Sequence, residues 1–577
     1  MEKTVWKELP DRACDLAVDL AHPNRVLLTG GYRQQVRVGE RLRDFYAWLP
    51  EGLENCQRCI VAAIPEGTTP EAFMEASGLR ALAEEQKLFL FLAVPEGDAW
   101  RTDGSDADYL NALYVEIQAR DWYVTMQDNI YLAGFGEAAA VAHQAARKMA
   151  SEWSGLMTVG QLTADLTQAG ALASEQDQGE GELKVQAMRA QLPVWMAVGS
   201  VGAHEQAALD YWKRENRVQD GCLSGEGADA IFMPSPVRER SEVNDEKIAG
   251  VRLTLGKATA DEALLRTMWA QIGSARRHRG QGRKILRYFR DPAAMGATLR
   301  EMEFGGIKRR WYEYVPQRCT ANKRWPMVVV MHGRGGTAET FFDISGMSCV
   351  AEERGFIAVF PEAGLYQQKK DGLRNVLLWD GIYDGKPIDD VAFIRAMVAD
   401  IEARLPVDHG RLYACGQSSG GMMTDLLCTY ASDLFAACAS WSALESPSRM
   451  YMQHEPTAPL TPTMFIYGDH DWLSAGREPD PELPFSSEQE IRSIILKKLE
   501  RYGLDMHDYE QWDCEPITWT AFPNADHVPM LTVGVVHDMI HANYPEESWI
   551  SFDQFFCQFR RDENGDLYYR GKKVNKA

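Results

Sequence analysis

Short apolar runs alternate with longer amphipathic segments along this chain, most clearly in its second half. The predicted strands are residues 327–331, 356–360, 412–415, 436–440, 463–467 and 517–521. The predicted helices are residues 338–354, 389–404, 420–431 and 487–502, with a last helix near 551–559. Strands that alternate with helices form a mostly parallel sheet covered by helices. The pattern therefore predicts an α/β fold.

The same succession of motifs occurs twice along the chain. Residues 77–79 match residues 345–347 at an offset of 268 (345 − 77), and residues 130–138 match residues 412–420 at an offset of 282 (412 − 130). Ordered matches of this kind indicate a tandem duplication. Because Asp291-Pro292 breaks the helical pattern between the copies, we predict one α/β domain over residues 1–292 and another over residues 293–577.

The net charge and the cysteine pattern restrict the partners and the cellular location that we expect. The net charge of −22 argues against nucleic acid and anionic membranes as partners. The basic stretch 276–290 is interpreted as a solvated helix and linker. The charged N-terminus has no apolar signal region, and the eleven cysteines have no regular spacing, so we expect a cytoplasmic protein with reduced thiols. Cys56-x-x-Cys59 stands without a second pair, so we expect neither a metal nor a cofactor.

Residues 413–421, YACGQSSGG, have the composition of a strand-to-helix elbow that exposes a serine. An apolar strand ends at Cys415, a Gly-x-Ser-x-Gly pattern follows, and a helical pattern begins after it. Small residues are needed on both sides because strand and helix pack closely at such a turn. Ser418 is therefore the candidate nucleophile.

A serine hydroxyl needs a base, an acid that orients the base, and donors for the oxyanion. In hydrolases with such an elbow, the order along the chain is serine, acid, histidine. Asp471 follows the 463–467 strand and His527 follows the 517–521 strand, so these two residues are the predicted acid and base. Two alternatives stay open: Asp469 as the acid, and His537 or His541 as the base.

The loop His332-Gly333-Arg334-Gly335-Gly336 follows the 327–331 strand and is rich in glycine, as an oxyanion loop must be. The predicted donors are the backbone N–H groups of Arg334 and Ser419. His332 is expected to brace the loop, and the Arg334 side chain is a candidate contact for an anionic substrate group.

Tryptophans near strand ends are candidate substrate contacts because ligand pockets are rich in aromatic side chains. These are Trp379, Trp441 and Trp472. Insertions rich in proline and serine, about 445–462 and 473–487, are candidate lid segments.

The motifs VVVMHGRGGTAETF, DDVAFIRAMVADIEARLPVDHGRLYACGQSSGGMM and YGDHDW together resemble the polyhydroxybutyrate-depolymerase and feruloyl-esterase-like branch of the α/β-hydrolases. The resemblance covers about residues 300–560. It implies a serine esterase that cleaves small acyl, feruloyl-like or hydroxyalkanoate esters through an acyl-enzyme, with Ser418, Asp471 and His527 as its triad. A peptidase or acyltransferase on the same triad, and a non-catalytic binding or regulatory protein, are the alternatives.

The first copy lacks the catalytic residues. Gly136 stands at the nucleophile position and Gly202 at the acid position, and no histidine lies between His204 and His278. We therefore predict an inactive α/β-hydrolase domain that serves for packing, for forming a homo-oligomer, or for shaping the substrate cleft.

Overall fold

The protein contains two large sheets, one in each half of the chain. The computed structural model describes residues 5–166, 190–219, 221–234, 248–280, 283–367, 376–443, 448, 450–451, 454–471 and 489–575. The predicted lid segment 473–487 lies outside the described residues, as does part of the segment 445–462.

The first sheet has ten strands in the order β1-β2-β4-β3-β5-β6-β7-β10-β9-β8. Its strands are β1 Gly30–Val38, β2 Arg41–Leu49, β3 Cys59–Ala63, β4 Phe89–Ala93, β5 Ile130–Phe135, β6 Leu156–Val159, β7 Val194–Val198, β8 Leu223–Gly225, β9 Ala228–Phe232 and β10 Val251–Leu255. The accompanying helices are α1 Pro70–Ser77, α2 Leu79–Gln86, α3 Ser105–Gln118, α4 Ala138–Lys148, α5 Ala203–Glu215 and α6 Glu262–Ile272. A 3₁₀ turn at Ala13–Asp15 precedes them.

A hairpin of β11 Ala275–Gly280 and β12 Arg283–Tyr288 joins the halves. This corrects the prediction of a solvated helix and linker over 276–290, because Arg276, Arg277 and Arg287 are buried in the hairpin. Arg287 binds both carboxylate oxygens of Asp343 in the second half. A buried guanidinium needs such acceptors, so Arg287 connects the two halves instead of facing solvent.

The second sheet also has ten strands, in the order β13-β14-β16-β15-β21-β22-β23-β26-β25-β24. These are β13 Thr298–Phe304, β14 Ile307–Tyr314, β15 Trp325–Met331, β16 Ile357–Pro361, β21 Val407–Gln417, β22 Ala437–Trp441, β23 Thr463–Gly468, β24 Glu510–Cys514, β25 Ile517–Pro523 and β26 Pro529–Val536. Two small sheets are made of β17 Leu365–Tyr366, β18 Val376–Leu377, β19 Ile382–Tyr383 and β20 Lys386–Pro387, and of β27 Phe559–Arg561, β28 Leu567–Tyr569 and β29 Lys572–Lys573.

The helices of the second half are α7 Ala338–Ser345, α8 Met347–Arg354, α9 Asp390–Arg404, α10 Ser419–Tyr430, α11 Gln489–Tyr502 and α12 Glu547–Ile550. The helix predicted at 338–354 is divided in two by Gly346, which has φ +64°. The one predicted near 551–559 continues α12 as a π-helical turn and a 3₁₀ turn, Ser551–Phe555 and Phe556–Gln558. None of the helices described here has the length and apolar character needed to cross a bilayer.

Both sheets have the same arrangement of strand directions. In each, six central strands are parallel, and two antiparallel strands extend the sheet at either side. Successive residues of a central strand enter cores on opposite faces: Val328 and Val330 lie on one side of the second sheet and Val329 on the other. Burial on both faces explains the continuous apolar runs in the sequence. The chain thus forms two mostly parallel α/β domains.

The amino edge of the first sheet packs against the carboxyl edge of the second. Cys56, just before β3, places its Sγ 2.9 Å from the carbonyl oxygen of Gly335, just after β15. Arg310 links Glu54 of the first half to Glu362 of the second, at 2.5 and 2.6 Å. Burial raises the pKa of Glu54, but the hydrogen bonds from Arg310 and Asn24 and the charges of Arg310 and Arg25 together hold that pKa below its ordinary value. The two domains are therefore joined beside the strand ends where an α/β active site forms.

Candidate active site

Ser418 lies in a sharp turn between β21 and α10. Its φ of +54° and ψ of −120° are unfavourable for a residue with a side chain. The Ser418 N–H donates to the carbonyl of Trp441 on the neighbouring strand at 2.9 Å, and the Ser418 carbonyl accepts from Met422. These bonds hold the strained turn, so the hydroxyl is presented at the carboxyl edge of the sheet.

The glycines around Ser418 are required by close packing. A Cβ on Gly420 would overlap the carbonyl oxygen of Met331, and one on Gly416 would lie 2.5 Å from the carbonyl oxygen of Gly420. A Cβ on Gly421 would lie 2.8 Å from Ser440 Oγ. Helix α10 can therefore start directly against β15 and β22 only without these side chains.

A chain of hydrogen bonds joins Ser418, His541 and Asp471. Ser418 Oγ is 3.0 Å from His541 Nε2, and His541 Nδ1 is 2.9 Å from Asp471 Oδ2 and 3.1 Å from Oδ1. Asp471 is 1% exposed, whereas Ser418 and His541 are half-buried at a cavity. A buried carboxylate that accepts from Nδ1–H leaves Nε2 as an acceptor for the serine proton.

Two adjacent loops hold the acid and the histidine. One follows β23 and the other follows β26, and these strands are parallel neighbours. The N–H of Asp469 donates to Val536, and the N–H of His470 donates to Met539, at 3.1 and 3.0 Å. Because the loops are bonded to each other along their backbones, the distance between Asp471 and His541 is fixed by the sheet.

The prediction of His527 as the base is corrected by this geometry. The strand predicted at 517–521 exists as β25, but it is antiparallel to β26. The turn after β25 therefore lies at the amino edge of the parallel strands, opposite Ser418. His527 is exposed there and lines a separate cavity with Trp512 and Trp519.

Of the alternatives that the sequence left open, only His541 contacts the serine. His537 binds Thr518 Oγ1 at 2.9 Å and lies 3.4 Å from Asp469. Asp469 therefore faces another histidine, and Asp471 is the acid of the hydrogen-bonded chain. The sequence signal for His541 is its position after the last parallel strand, β26, which the predicted set of strands does not contain.

The glycine-rich loop 332–336 lies beside Ser418. His332 Nδ1–H donates to the carbonyl of Gly333 at 2.7 Å, and His332 Nε2 accepts from the N–H of Ala363 at 3.0 Å. Burial lowers the pKa of His332 to about 4, so the ring is neutral in this role. This contact pattern is that of the predicted brace. The N–H groups of Gly335 and Gly336 are bound to Leu377 and Gly333.

The prediction that three tryptophans contact the substrate is corrected for two of them. Trp379 is buried and donates from Nε1 to the carbonyl of His332 at 2.8 Å. Trp441 is fully buried and donates from Nε1 to Ser551 Oγ at 3.0 Å. Both therefore support the site from the core, because neither ring lines the cavity. Trp472 lies outside the described residues.

The cavity at Ser418 has a volume of about 280 Å³ and is lined by both domains. The second domain contributes the loop 332–336, Ser418, His541 and the apolar side chains of Phe341 and Ile344. The first domain contributes Met126, Gln127, Asp128 and Arg277. Sequence reasoning missed these four residues, because no motif marks a residue that reaches the site from another domain.

The turn after β5 in the first domain has a glycine at the position that corresponds to Ser418. Gly136 follows β5 with φ +59°, the same sign as Ser418, and has no side chain. Around the position predicted for the acid, Glu205 accepts from the N–H groups of Leu162 and Gly202 at 2.7 and 2.9 Å. These two hydrogen bonds stabilise the local fold around Gly202.

No grouping of three or more histidine, cysteine, aspartate or glutamate side chains fit for a metal occurs in the described part of the chain. Cys56 and Cys59 are separate buried thiols, with their Sγ atoms directed to the carbonyls of Gly335 and Gln57.

Known proteins are similar to part of the second domain. Residues 311–446 match a family model described as Esterase PHB depolymerase. The putative esterase NocK of Nocardia uniformis subsp. tsuyamanensis is 34% identical over 178 residues, which are 30% of this chain and 49% of that protein. Feruloyl esterase B of Neurospora crassa is 30% identical over 140 residues, 23% of this chain and 44% of that protein.

A poly(3-hydroxyalkanoate) depolymerase C of Paucimonas lemoignei is 29% identical over 131 residues, 22% of this chain and 30% of that protein. Among solved structures, an acetyl xylan esterase from Aspergillus awamori aligns with 45% of this chain and 99% of its own, at 17% identity and a TM-score of 0.35. The chain spans half or less of the length of these three curated relatives. Within its second domain, the chain therefore contains a region similar to the Esterase PHB depolymerase family model.

Proposed function

We propose that this protein is a serine esterase with Ser418 as nucleophile, His541 as general base and Asp471 as the acid that orients the base. The observation that carries the proposal is the continuous hydrogen-bonded chain from Ser418 Oγ through His541 to Asp471, at 3.0 and 2.9 Å. It ends on a buried carboxylate and begins at a cavity, as covalent catalysis by a serine requires.

In the first half of the reaction, Ser418 Oγ forms a bond to the ester carbonyl carbon while His541 Nε2 takes the hydroxyl proton. Asp471 stabilises the imidazolium through Nδ1–H. The carbonyl electron pair moves to oxygen, and this oxyanion accepts from backbone N–H groups. Its return breaks the bond to the alcohol oxygen, which leaves with the proton from His541. An acyl-serine remains.

In the second half, a water molecule attacks the acyl-serine while His541 takes one of its protons. The second tetrahedral intermediate expels Ser418 Oγ, which receives the proton back, and the carboxylic acid leaves. The enzyme is thereby restored with one water consumed.

The N–H groups of Arg334 and Ser419 are the proposed oxyanion donors. Gly335 and Gly336 use their N–H groups within the loop and its surroundings, whereas no acceptor in the described part of the chain is paired with the N–H of Arg334. Ser419 is the first residue of α10, and the first N–H groups of a helix lack an intrahelical acceptor. The exposed Arg334 side chain is a further candidate contact for an anionic group of the substrate.

Small acyl, feruloyl-like and hydroxyalkanoate esters are the proposed substrates. The family match and relatives named as feruloyl, acetylxylan and poly(3-hydroxyalkanoate) enzymes support an ester. The cavity volume of about 280 Å³ supports one small acyl or aromatic group.

We also propose that residues 1–292 and 293–577 arose by duplication and that the first domain is catalytically inactive. The identical strand orders of the two sheets and the glycine at position 136 support this proposal. The eleven cysteines are free thiols, which supports a cytoplasmic location. A homo-oligomer through the first domain stays a prediction.

The test is hydrolysis of p-nitrophenyl acetate and butyrate by the wild type, Ser418→Ala and Ser419→Ala, with labelling by a fluorophosphonate probe. Ser418→Ala should lose both activity and labelling. Ser419→Ala is the matched control, because it removes a neighbouring buried hydroxyl, for which no partner exists among the described residues, and keeps the backbone N–H.

A wild type that hydrolyses neither ester and reacts with no probe would contradict the proposal. An active Ser418→Ala would show that another group is the nucleophile. Addition of an alcohol or amine acceptor to the assay separates hydrolysis from acyl transfer, since transfer would give a new ester or amide.

A further inference from the structure

Residues 124–128 of the first domain, here named the cap segment, cover one side of the catalytic cavity. The segment follows α3 and precedes β5, so it lies at the amino edge of the first sheet. Met126, Gln127 and Asp128 of this segment line the same cavity as Ser418 and His541. A domain without a nucleophile thus forms part of the wall around another domain's serine.

The cap segment packs directly on the oxyanion loop. Gly335 has φ +72°, and a Cβ there would lie 3.5 Å from Cγ1 of Val124. Val124 and Cys56 form a small apolar cluster with Tyr366 and Val376, and Met126 packs against it. The wall therefore contacts the loop that carries Arg334, one of the two proposed oxyanion donors.

Hydrogen bonds fix the cap segment although it contains no helix or strand. The N–H of Val124 donates to Asn55 Oδ1, and the carbonyl of Val124 accepts from the N–H of Cys56, both at 2.8 Å. The carbonyl of Gln127 accepts from Tyr114 at 3.0 Å. The carbonyl of Asp128 accepts from Ser154 and from the N–H of Arg277, at 2.7 and 2.8 Å. A backbone held at so many points is preorganised, so the cavity has a fixed size.

The two half-buried side chains of the cap segment differ in chemistry. Met126 is apolar and flexible, and it faces the cavity opposite Phe341 and Ile344 of α7. The side-chain amide of Gln127 has no hydrogen-bond partner among the described residues and lines the cavity too. Met126 therefore bounds an apolar space, and the Gln127 amide offers a hydrogen-bond donor and an acceptor to a bound molecule.

We propose that the cap segment determines which esters fit, with Met126 setting the length of the chain that the cavity accepts and Gln127 binding a polar group of the substrate. This inference rests on the proposed esterase function. The first domain is then a permanently closed cap, and the substrate class is small esters carrying a hydrogen-bonding group. The residues concerned determine specificity and take no part in proton transfer.

The experiment compares Met126→Ala and Met126→Trp with wild type on two series: p-nitrophenyl esters from acetate to octanoate, and acetate esters of alcohols of increasing size. Methionine to alanine frees the space of about three heavy atoms, and each added methylene that becomes buried contributes ~0.8 kcal/mol, about fourfold in kcat/KM. We expect Met126→Ala to raise kcat/KM for long esters relative to acetate by tenfold or more in one series. Met126→Trp should lower it by a similar factor.

Met149→Ala is the matched control. Met149 is a half-buried methionine of the same domain that does not line the cavity, so its truncation costs similar packing and should leave chain-length preference within twofold. Gln127→Leu should raise the KM for p-hydroxycinnamate esters tenfold relative to the KM for cinnamate esters. It should leave kcat nearly unchanged. Thermal unfolding of each variant verifies that it is folded.

The outcomes separate the two proposals. If the wild type hydrolyses short esters but the Met126 variants keep its chain-length preference within twofold in both series, the cap assignment is overturned. If the wild type hydrolyses no member of either series and its serine is unreactive, the esterase function itself fails, and the cap assignment fails with it. A shift in either series, absent in Met149→Ala, supports the cap and identifies which half of the ester it contacts.

Discussion

Replacing His541 by alanine tests the catalytic assignment most directly. Its Nε2 is the only ring nitrogen among the described residues that binds Ser418 Oγ, at 3.0 Å. Without it the hydroxyl has no base, and its attack must proceed without proton removal. Loss of the histidine from a complete triad lowers kcat by about 10⁶, which is ~8 kcal/mol of transition-state stabilisation.

The assay is steady-state hydrolysis of p-nitrophenyl acetate near pH 8, with KM and kcat determined separately. The loss should appear in kcat, because His541 acts on the reacting hydroxyl and not on substrate binding. His541→Ala also leaves the buried Asp471 without this partner, so circular dichroism must show a folded protein. His541→Gln is the second variant: it keeps a polar side chain and should be equally inactive.

His527→Ala is the control that decides between the two histidines. His527 is exposed at the opposite edge of the sheet, so its removal should change kcat/KM by less than twofold. If His527→Ala lost four or more orders of magnitude while His541→Ala stayed active, the geometric assignment of the base would be refuted.

Three further predictions concern the acid, the elbow and pH. Asp471→Asn should lower kcat by about 10⁴ while folding is kept, because the amide cannot hold the tautomer that accepts the serine proton; activity and melting curves check this. Gly420→Ala should prevent a stable elbow, because its Cβ would overlap the carbonyl of the neighbouring strand, whereas Gly296→Ala, with φ +84° and open space, should cost only about 1 kcal/mol of unfolding free energy. Equal urea midpoints of the two would contradict the packing argument. Burial lowers the pKa of His143 to about 3. The folded protein therefore keeps His143 neutral, and its contribution to the free energy of unfolding is fully present above pH 6.5 and is lost as pH falls towards 3. The loss between pH 6.5 and pH 5 is about 2 kcal/mol. His143→Gln should lose less stability over that interval in urea unfolding, and an unchanged dependence on pH would contradict it.

The connection between the domains gives the first one a physical role. Its amino edge lies on the catalytic edge of the second sheet, through Cys56 at Gly335, Arg287 at Asp343 and Arg310 at Glu54. Arg287 and Asp343 are both buried, so loss of either partner would leave an unpaired buried charge at the junction. The first domain is therefore expected to stay in place during the reaction.

Local patterns of size and polarity determine much of the second domain. Apolar runs predict six strands because parallel strands are buried on both faces. The glycines around Ser418 predict the elbow because only small residues allow strand and helix to meet there. The helix predicted at 389–404 is observed as α9, and the Asp389 side chain caps it by accepting from the N–H of Ala392 at 2.9 Å.

Local sequence patterns do not identify the histidine that contacts Ser418. Strand direction is not encoded in an apolar run, so β25 is indistinguishable from another parallel strand, and the pattern favours the histidine that follows it. The antiparallel pairing of β25 with β26 moves His527 to one edge of the sheet and His541 to the other. Only the complete order of strands decides which histidine meets Ser418.

The tryptophans and the basic stretch illustrate the same limit. A tryptophan in the sequence can belong to a core or to a ligand pocket. Only the packing of the fold places the rings of Trp379 and Trp441 in the core behind the site. The stretch 276–290 has the charge pattern of a solvated surface, and only the tertiary fold brings Arg287 its acceptor, Asp343 of the other domain.

The sequence by itself determined the fold class and the elbow, and it predicted Ser418 as the nucleophile and Asp471 as the acid, because these features depend on short-range patterns of size and polarity. The tertiary structure alone decided which histidine contacts Ser418, the location of the aromatic side chains and the shared wall of the cavity. Those features depend on residues hundreds of positions apart, such as Met126 and Ser418, which only the packing of the two sheets brings to one cavity.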